Sequence, residues 1–278
     1  NEIFIKGDEF HLSFNLENGF LNKYNYRNID ILSNELTPFF WRAPTDNDLG
    51  NDMPERCAIW KNAHNELLMQ SIDTSSSGNI KNVKVDYFHE LSNCRLQLSY
   101  NIYGNGMVKL KQTLYPSGSN LPELPRFGMK TTIPSSFNSL EWFGRGPHES
   151  YWDRKSSARI DRFAGKVWDQ TFKYVRPQET GNKTDVRWMA MYNGSVGIMA
   201  KGIPFFDGSV HHYNYANLYH AKGSQLHGAI DIKKENQIDW LIDFKQMGVG
   251  GDNSWGAKPH NKYTLPMDTS TYNLEYVL

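Results

Sequence analysis

Three stretches, Val83-Lys84-Val85-Asp86-Tyr87-Phe88, Leu96-Gln97-Leu98-Ser99-Tyr100-Asn101-Ile102 and Val108-Lys109-Leu110-Lys111-Gln112-Thr113-Leu114, alternate apolar with polar residues. A period of two sends successive side chains to opposite faces, the pattern of a half-buried strand. Turn formers punctuate them: Ser92-Asn93, Gly104-Asn105-Gly106 and Pro116-Ser117-Gly118. The spacing predicts consecutive antiparallel strands joined by short turns.

The same signature recurs outward from there, at Val186–Tyr192, Val196–Ala200, Ala229–Lys233, Ile238–Phe244 and Tyr272–Leu278. Asn193-Gly194, between the first two of these, is a strong hairpin signal. Helix signals are sparse. Pro54–Leu68 is the best, with proline near its start and Cys57, Trp60, Ala63 and Leu67 at helical spacing. A weaker one spans Lys155–Phe163. Strands and helices do not alternate, which argues against a parallel α/β sheet. Pro116–Pro125 reads as a long loop rather than a domain boundary, and no repeat or low-complexity tract appears. Pattern alone therefore predicts an all-β fold, a large antiparallel β-sandwich.

Composition narrows function by exclusion. The 278 residues carry 30 Lys+Arg and 30 Asp+Glu, so no basic excess points to nucleic acid. The two cysteines, Cys57 and Cys94, make neither a disulfide scaffold nor a four-ligand zinc site, and read as packed thiols. No apolar stretch is long enough to span a bilayer, so no membrane partner is expected, and no signal peptide opens the chain. A start at Asn1 points to a processed chain or a piece of something longer, and leaves the compartment unread. Aromatics reach 14%, with eight tryptophans and fifteen tyrosines. Sheet cores take up aromatics readily, and sugar sites use them because the C–H face of a pyranose packs flat on a ring.

Candidate chemistry is thin. Gly248-Val249-Gly250-Gly251-Asp252-Asn253-Ser254-Trp255 follows a strand-like run, but the third glycine of a dinucleotide loop would fall at Asn253 and no helix follows. The stretch reads instead as a glycine-supported loop that pushes Trp255 outward, or with Trp255 at the rim of the core. Asp46-Asn47-Asp48 lacks the ligand a calcium loop needs at Gly50, and two neighbouring loop aspartates make a poor acid/base pair. Capping turns is their more ordinary use. The segments Gly144–Tyr151 and Arg176–Asn182, with Arg145, Glu149 and Glu179, suit either a sugar site or ties between adjacent strands. His211-His212 alternates across a strand, so the pair cannot chelate one ion from one face. Neither a G-x-S-x-G elbow nor an H-E-x-x-H helix is present.

Four motifs then fall into one order: Trp41–Gly50 (WRAPTDNDLG), Trp142–Arg154 (WFGRGPHESYWDR), Pro177–Asn182 (PQETGN) with Asp185–Trp188 (DVRW), and Met247–Trp255 (MGVGGDNSW). Together they resemble the C-terminal, small-chain region of the large β-galactosidases of glycoside hydrolase family 2, from about Gly7 to the end. The resemblance implies a single galactose mutarotase-like supersandwich over residues 1–278. It implies that the catalytic glutamates belong to a separate (β/α)-barrel, which would need about 250 residues of alternating strand and helix. It implies a retaining β-galactosidase acting on galactosides, with the remaining enzyme domains as partners and a homo-oligomeric parent. Magnesium and sodium are implied for the intact enzyme, with none bound by this chain. Trp255 matches the family tryptophan that stacks on the sugar; Gly50 opens the family's active-site loop, continued by Asn51 and Asp52. Arg42, Asp46, Asn47 and Asp48 form a structural motif. Two other readings stand beside this one. A free-standing mutarotase-like enzyme would pair Glu179 with His212 or His220 in one pocket. A carbohydrate-binding module would bind sugar through exposed aromatics without turnover.

Overall fold

The computed structural model describes residues 1–117, 120–214, 218, 232–268 and 270–278. The chain opens with a four-stranded antiparallel sheet: β1 (Glu2–Lys6), β2 (Phe10–Asn15), β3 (Leu21–Tyr26) and β4 (Ile29–Asp30). A short strand β5 (Thr37–Phe39) leads into two small helices, α1 (Asp46–Gly50) and α2 (Met53–Arg56). A meander follows: β6 (Leu67–Ser77), β7 (Ile80–His89), β8 (Cys94–Ile102) and β9 (Val108–Tyr115). Beyond it lie β10 (Arg126–Pro134), β11 (Ser139–Gly146), β12 (Arg159–Lys166), β13 (Lys183–Tyr192), β14 (Gly197–His211), β15 (Gln237–Gln246) and β16 (Tyr272–Val277).

Among the described residues these twelve later strands form one sheet, in the order β12-β11-β13-β14-β16-β9-β8-β7-β6. The fifteen-residue β14 branches it: its C-terminal half also pairs with β15, which carries β10 and then β5. All pairings are antiparallel. The alternating stretches Val83–Phe88, Leu96–Ile102 and Val108–Leu114 lie in β7, β8 and β9, and Asn193-Gly194 turns β13 into β14.

Alternation explains the layering. In β8, Cys94, Leu96, Leu98, Tyr100 and Ile102 are all buried, with more accessible residues between them. The small sheet covers this face. Phe14 meets Tyr100 edge-on at 4.9 Å, and Phe20 stacks on Tyr87 at 5.5 Å. Two phenols cross between the layers, Tyr87 donating to the Asn18 carbonyl and Tyr24 to the Gly106 carbonyl, each at 2.9 Å. The result is the expected all-β antiparallel sandwich.

Both expected helices are corrected. Over Pro54–Leu68 the chain makes only α2 and two 3-10 turns, Ala58–Trp60 and Ala63–Asn65, before β6 begins at Leu67. Cys57, Trp60 and Ala63 recur every third residue, the period of a 3-10 helix rather than the 3.6 of an α-helix. Lys155–Phe163 ends in β12, at the edge of the large sheet. Only Phe163 of that strand is buried, so no alternation shows, and Arg159, Asp161 and Arg162 occupy the solvent-facing edge. Pro116–Pro125 is a loop over its described residues. Residues 229–231 of the expected Ala229–Lys233 strand lie outside the described residues, and Lys233 belongs to no strand.

Candidate functional site: four motifs brought together

Arg42 is the knot of the site. Its side chain is fully buried, with Nε 2.9 Å from Asp48 Oδ2 and Nη2 2.7 Å from Asp48 Oδ1. The same guanidinium donates to the Met247 carbonyl and, at 2.9 Å, to the Gly248 carbonyl. A planar five-donor fork can make all four bonds at once. Asp48 is occupied twice over. Besides Arg42 it closes a capping box on α1: its Oδ2 accepts from Thr45 N at 3.0 Å, and its own N–H reaches Thr45 Oγ1 at 3.2 Å. One aspartate thus starts the helix and locks it to the loop after β15.

That loop is the second half of the motif cluster. Asn47 Nδ2 donates to the Asn253 carbonyl at 3.0 Å, and Asn253 Oδ1 accepts from Trp255 N at 2.8 Å. The Asx turn leaves the indole of Trp255 outside, 86% exposed. At the base, Gly50 and Gly256 are packed backbone to backbone. A Cβ on Gly256 would stand 2.4 Å from the Gly50 carbonyl carbon, and Gly256 has φ +107°. Only glycine fits this position. Gly256→Ala is therefore expected to cost about 1–3 kcal/mol in strain and to displace the Trp255 loop; an unchanged denaturation midpoint would contradict the packing. Asn51 follows, its side-chain oxygen accepting from Arg56 at 3.1 Å while Arg56 pairs with Glu123 at 2.5 Å. Asp52, exposed and in the left-handed region at φ 55°, turns the chain into α2.

The remaining motifs close on the same place. Asp153 accepts from Val249 N at 3.1 Å and Gly250 N at 2.8 Å, and a Cβ on Gly248 would meet its Oδ2 at 2.6 Å. Asp46 does not join Arg42. It is exposed and takes Gln178 at 3.2 Å and Arg176 at 3.5 Å, which brings the PQETGN segment to α1. Arg145 pairs with Asp185 at 2.6 Å. Glu149 gathers Arg154, Tyr174, Thr180 and the Gly181 N–H. Arg145 and Glu149 thus tie strands and loops together. Asp153 and Asn253 were not singled out in the sequence; they sit inside quoted motifs, but their partners lie elsewhere in the chain or in a turn that only the fold defines.

Next to these motifs lies a buried charge cluster. Both Glu179 oxygens lie 3.2 Å from Arg126 Nη2, and Gln246 Nε2 donates to one of them at 3.1 Å. Asp243 stands 3.4 Å from Arg126 Nε on the other side. Burial pushes both carboxyls up from the usual range, and the guanidinium pulls each back. Burial pushes Asp207 up to about 7 and Lys183 down to about 8. His211 is held neutral, lowered to about 3 by burial and the nearby Arg126, and its Nδ1 lies in hydrogen-bond contact with the Tyr213 hydroxyl at 2.8 Å. His212 instead contacts Asn138 Oδ1 at 2.9 Å. No hydrogen bond joins Glu179 to His212, and His220 lies outside the described residues. Among the described residues no three His, Cys, Asp or Glu side chains gather as a metal site would require.

With this geometry in hand, comparison with known proteins is direct. The β-galactosidase small-chain family matches residues 6–278. A β-galactosidase of Priestia megaterium is 37% identical over 270 residues, which is 97% of this chain and 26% of the relative. One of Halalkalibacterium halodurans is 30% identical over 98% of this chain and 27% of its own length. The chain thus spans about a quarter of the curated relatives it matches. Among solved structures, a galactose mutarotase-like protein from Lactobacillus casei superposes with a TM-score of 0.50 at 10% identity, covering 99% of this chain and 98% of that one. A TPR-domain containing protein from Parabacteroides distasonis gives 0.56 at 11% identity, covering 99% of this chain and 46% of that one. These two likenesses concern the fold alone. The family match and the near-complete alignment to β-galactosidases place this chain in the β-galactosidase small-chain family.

Proposed function

We propose that this chain, as a single domain over residues 1–278, is the C-terminal component of a retaining β-galactosidase of glycoside hydrolase family 2, completing the rim of an active site whose catalytic glutamates lie in a separate barrel. The observation that carries the reading is the contact of Gly50 with Gly256, which sets the segment Gly50, Asn51, Asp52 beside the outward-facing Trp255. An exposed indole on a braced loop suits the apolar face of a galactosyl unit. The intact enzyme would cleave terminal β-galactosides through a covalent galactosyl intermediate. Its partners are the other enzyme domains and further copies of itself. The family's magnesium and sodium belong to those other parts: Asp48, the one buried carboxylate of the α1 motif, already serves Arg42 and Thr45.

Release of nitrophenol from a nitrophenyl β-galactoside tests the allocation of chemistry. The purified chain is expected to release none; clear turnover would overturn the proposal and turn attention to Glu149 and Glu179. In the full-length enzyme, Trp255→Ala is expected to lower kcat/KM by roughly fivefold, as about 1 kcal/mol of ring stacking is lost. Its stability should stay near wild type, since the ring is exposed. A variant with unchanged kcat/KM would remove Trp255 from the site.

A further inference from the structure

Trp255 reaches out of the fold with its ring exposed, so the chain holds it by its backbone. Two asparagines do this, and they use opposite ends of their amides. Asn253 Oδ1 accepts from two main-chain donors, Trp255 N at 2.8 Å and Ala257 N at 3.3 Å. Asn47 Nδ2 faces two main-chain acceptors, the Asn253 carbonyl at 3.0 Å and the Ala257 carbonyl at 3.5 Å. The partners are N–H groups in one case and carbonyls in the other, so neither amide works turned over. Asn47 stands on firm ground, because its neighbour Asp48 anchors α1 on the buried Arg42.

We infer that Asn47 and Asn253 are positioning residues for the substrate: together they set the pose in which the Trp255 ring meets the sugar. The inference rests on the reading of Trp255 as the sugar-facing ring. A ring on a loose loop loses part of its contact energy to being ordered when the ligand arrives. Asn253 removes that loss by closing residues 253–257 into one turn, and Asn47 ties the turn to α1. That helix ends at Gly50, so the ring and the Gly50–Asp52 segment share one support. The two positions make different chemical demands. Position 253 requires an acceptor, and position 47 a donor. A carboxylate meets the first demand and fails the second, where it would face two carbonyl oxygens.

Kinetics of the full-length enzyme on a nitrophenyl β-galactoside test this. Asn253→Ala and Asn47→Asp are each expected to lower kcat/KM by roughly threefold, as hydrogen bonds to the loop are lost. The loss should divide between KM and kcat as it does in Trp255→Ala. Asn253→Asp should recover most of what Asn253→Ala loses, since its carboxylate still accepts from the two N–H groups. In the Trp255→Ala background neither Asn253→Ala nor Asn47→Asp should lower kcat/KM further, which a merely structural role would not produce. Denaturation midpoints check folding; if Asn47→Asp does not fold, Asn253→Ala and Asn253→Asp carry the test. Equal losses with and without the Trp255 ring would overturn the inference. So would no recovery in Asn253→Asp, or wild-type kcat/KM in Asn253→Ala beside a lowered value in Trp255→Ala. All three leave the role of Trp255 standing. Wild-type kcat/KM in Trp255→Ala would instead remove that role, and the inference with it.

Discussion

Arg42→Met is expected to destabilise the protein by about 3–5 kcal/mol. The cost comes less from the lost attraction than from what is left behind. Asp48 would remain buried with a charge and without its bidentate partner, and the Met247 and Gly248 carbonyls would lose their donor. Arg42→Lys should recover only part of this, because one ammonium cannot span both carboxylate oxygens and two carbonyls. Arg42→Met combined with Asp48→Leu should be less damaged than Arg42→Met alone, since no unpaired charge is then stranded. Chemical denaturation of the three variants reads this directly. A single variant within 1 kcal/mol of wild type would show that water reaches Asp48, contrary to its burial, on the order expected for an exposed pair.

Asp207→Asn is expected to change stability in a manner that depends on pH. Burial holds the Asp207 proton until about pH 7, against an ordinary value of 3.8. The folded chain therefore keeps that proton to higher pH than the unfolded chain does. The stability this contributes is fully present below 3.8 and is lost as pH rises through about 7. Asparagine resembles the protonated acid and does not titrate; its side-chain oxygen can still accept the Asp185 N–H that Asp207 takes at 3.3 Å. The variant should therefore gain on wild type between pH 4 and pH 8, by on the order of 3 kcal/mol. Groups common to both proteins cancel in that difference. Denaturation midpoints that differ by the same amount at both pH values would mean that folding leaves the proton affinity of Asp207 unchanged.

Much of the fold was visible in the sequence wherever one face of a strand meets solvent. β7, β8 and β9 alternate cleanly because each sends every second side chain into the core. β10 does the opposite: nearly all of its residues are buried, including Arg126, Thr131 and Thr132, so periodicity vanishes. The short spacing of Cys57, Trp60 and Ala63 looked helical because periods of 3.0 and 3.6 diverge little over three repeats. At the site, the motif residues could be named from their resemblance, but their contacts could not. Arg42 meets a loop 205 residues away, and Asp153 one 96 residues away. Nothing local marks Asp46 as a partner of Arg176 and Gln178 while Asp48, two positions on, turns inward. Such pairings exist only once the strands are in place.

The position of β16 bears on how this chain comes off the ribosome. Among the described residues it is the one hydrogen-bonded link between the β6–β9 meander and the rest of the large sheet, pairing Tyr272 with Leu114 on one side and Val277 with Lys201 on the other. Everything translated before Tyr272 can form two separate strand arrays, each with an open flank that would template other chains. The seam closes only when Tyr272–Val277 is in place, so the two arrays become one continuous sheet through that single strand.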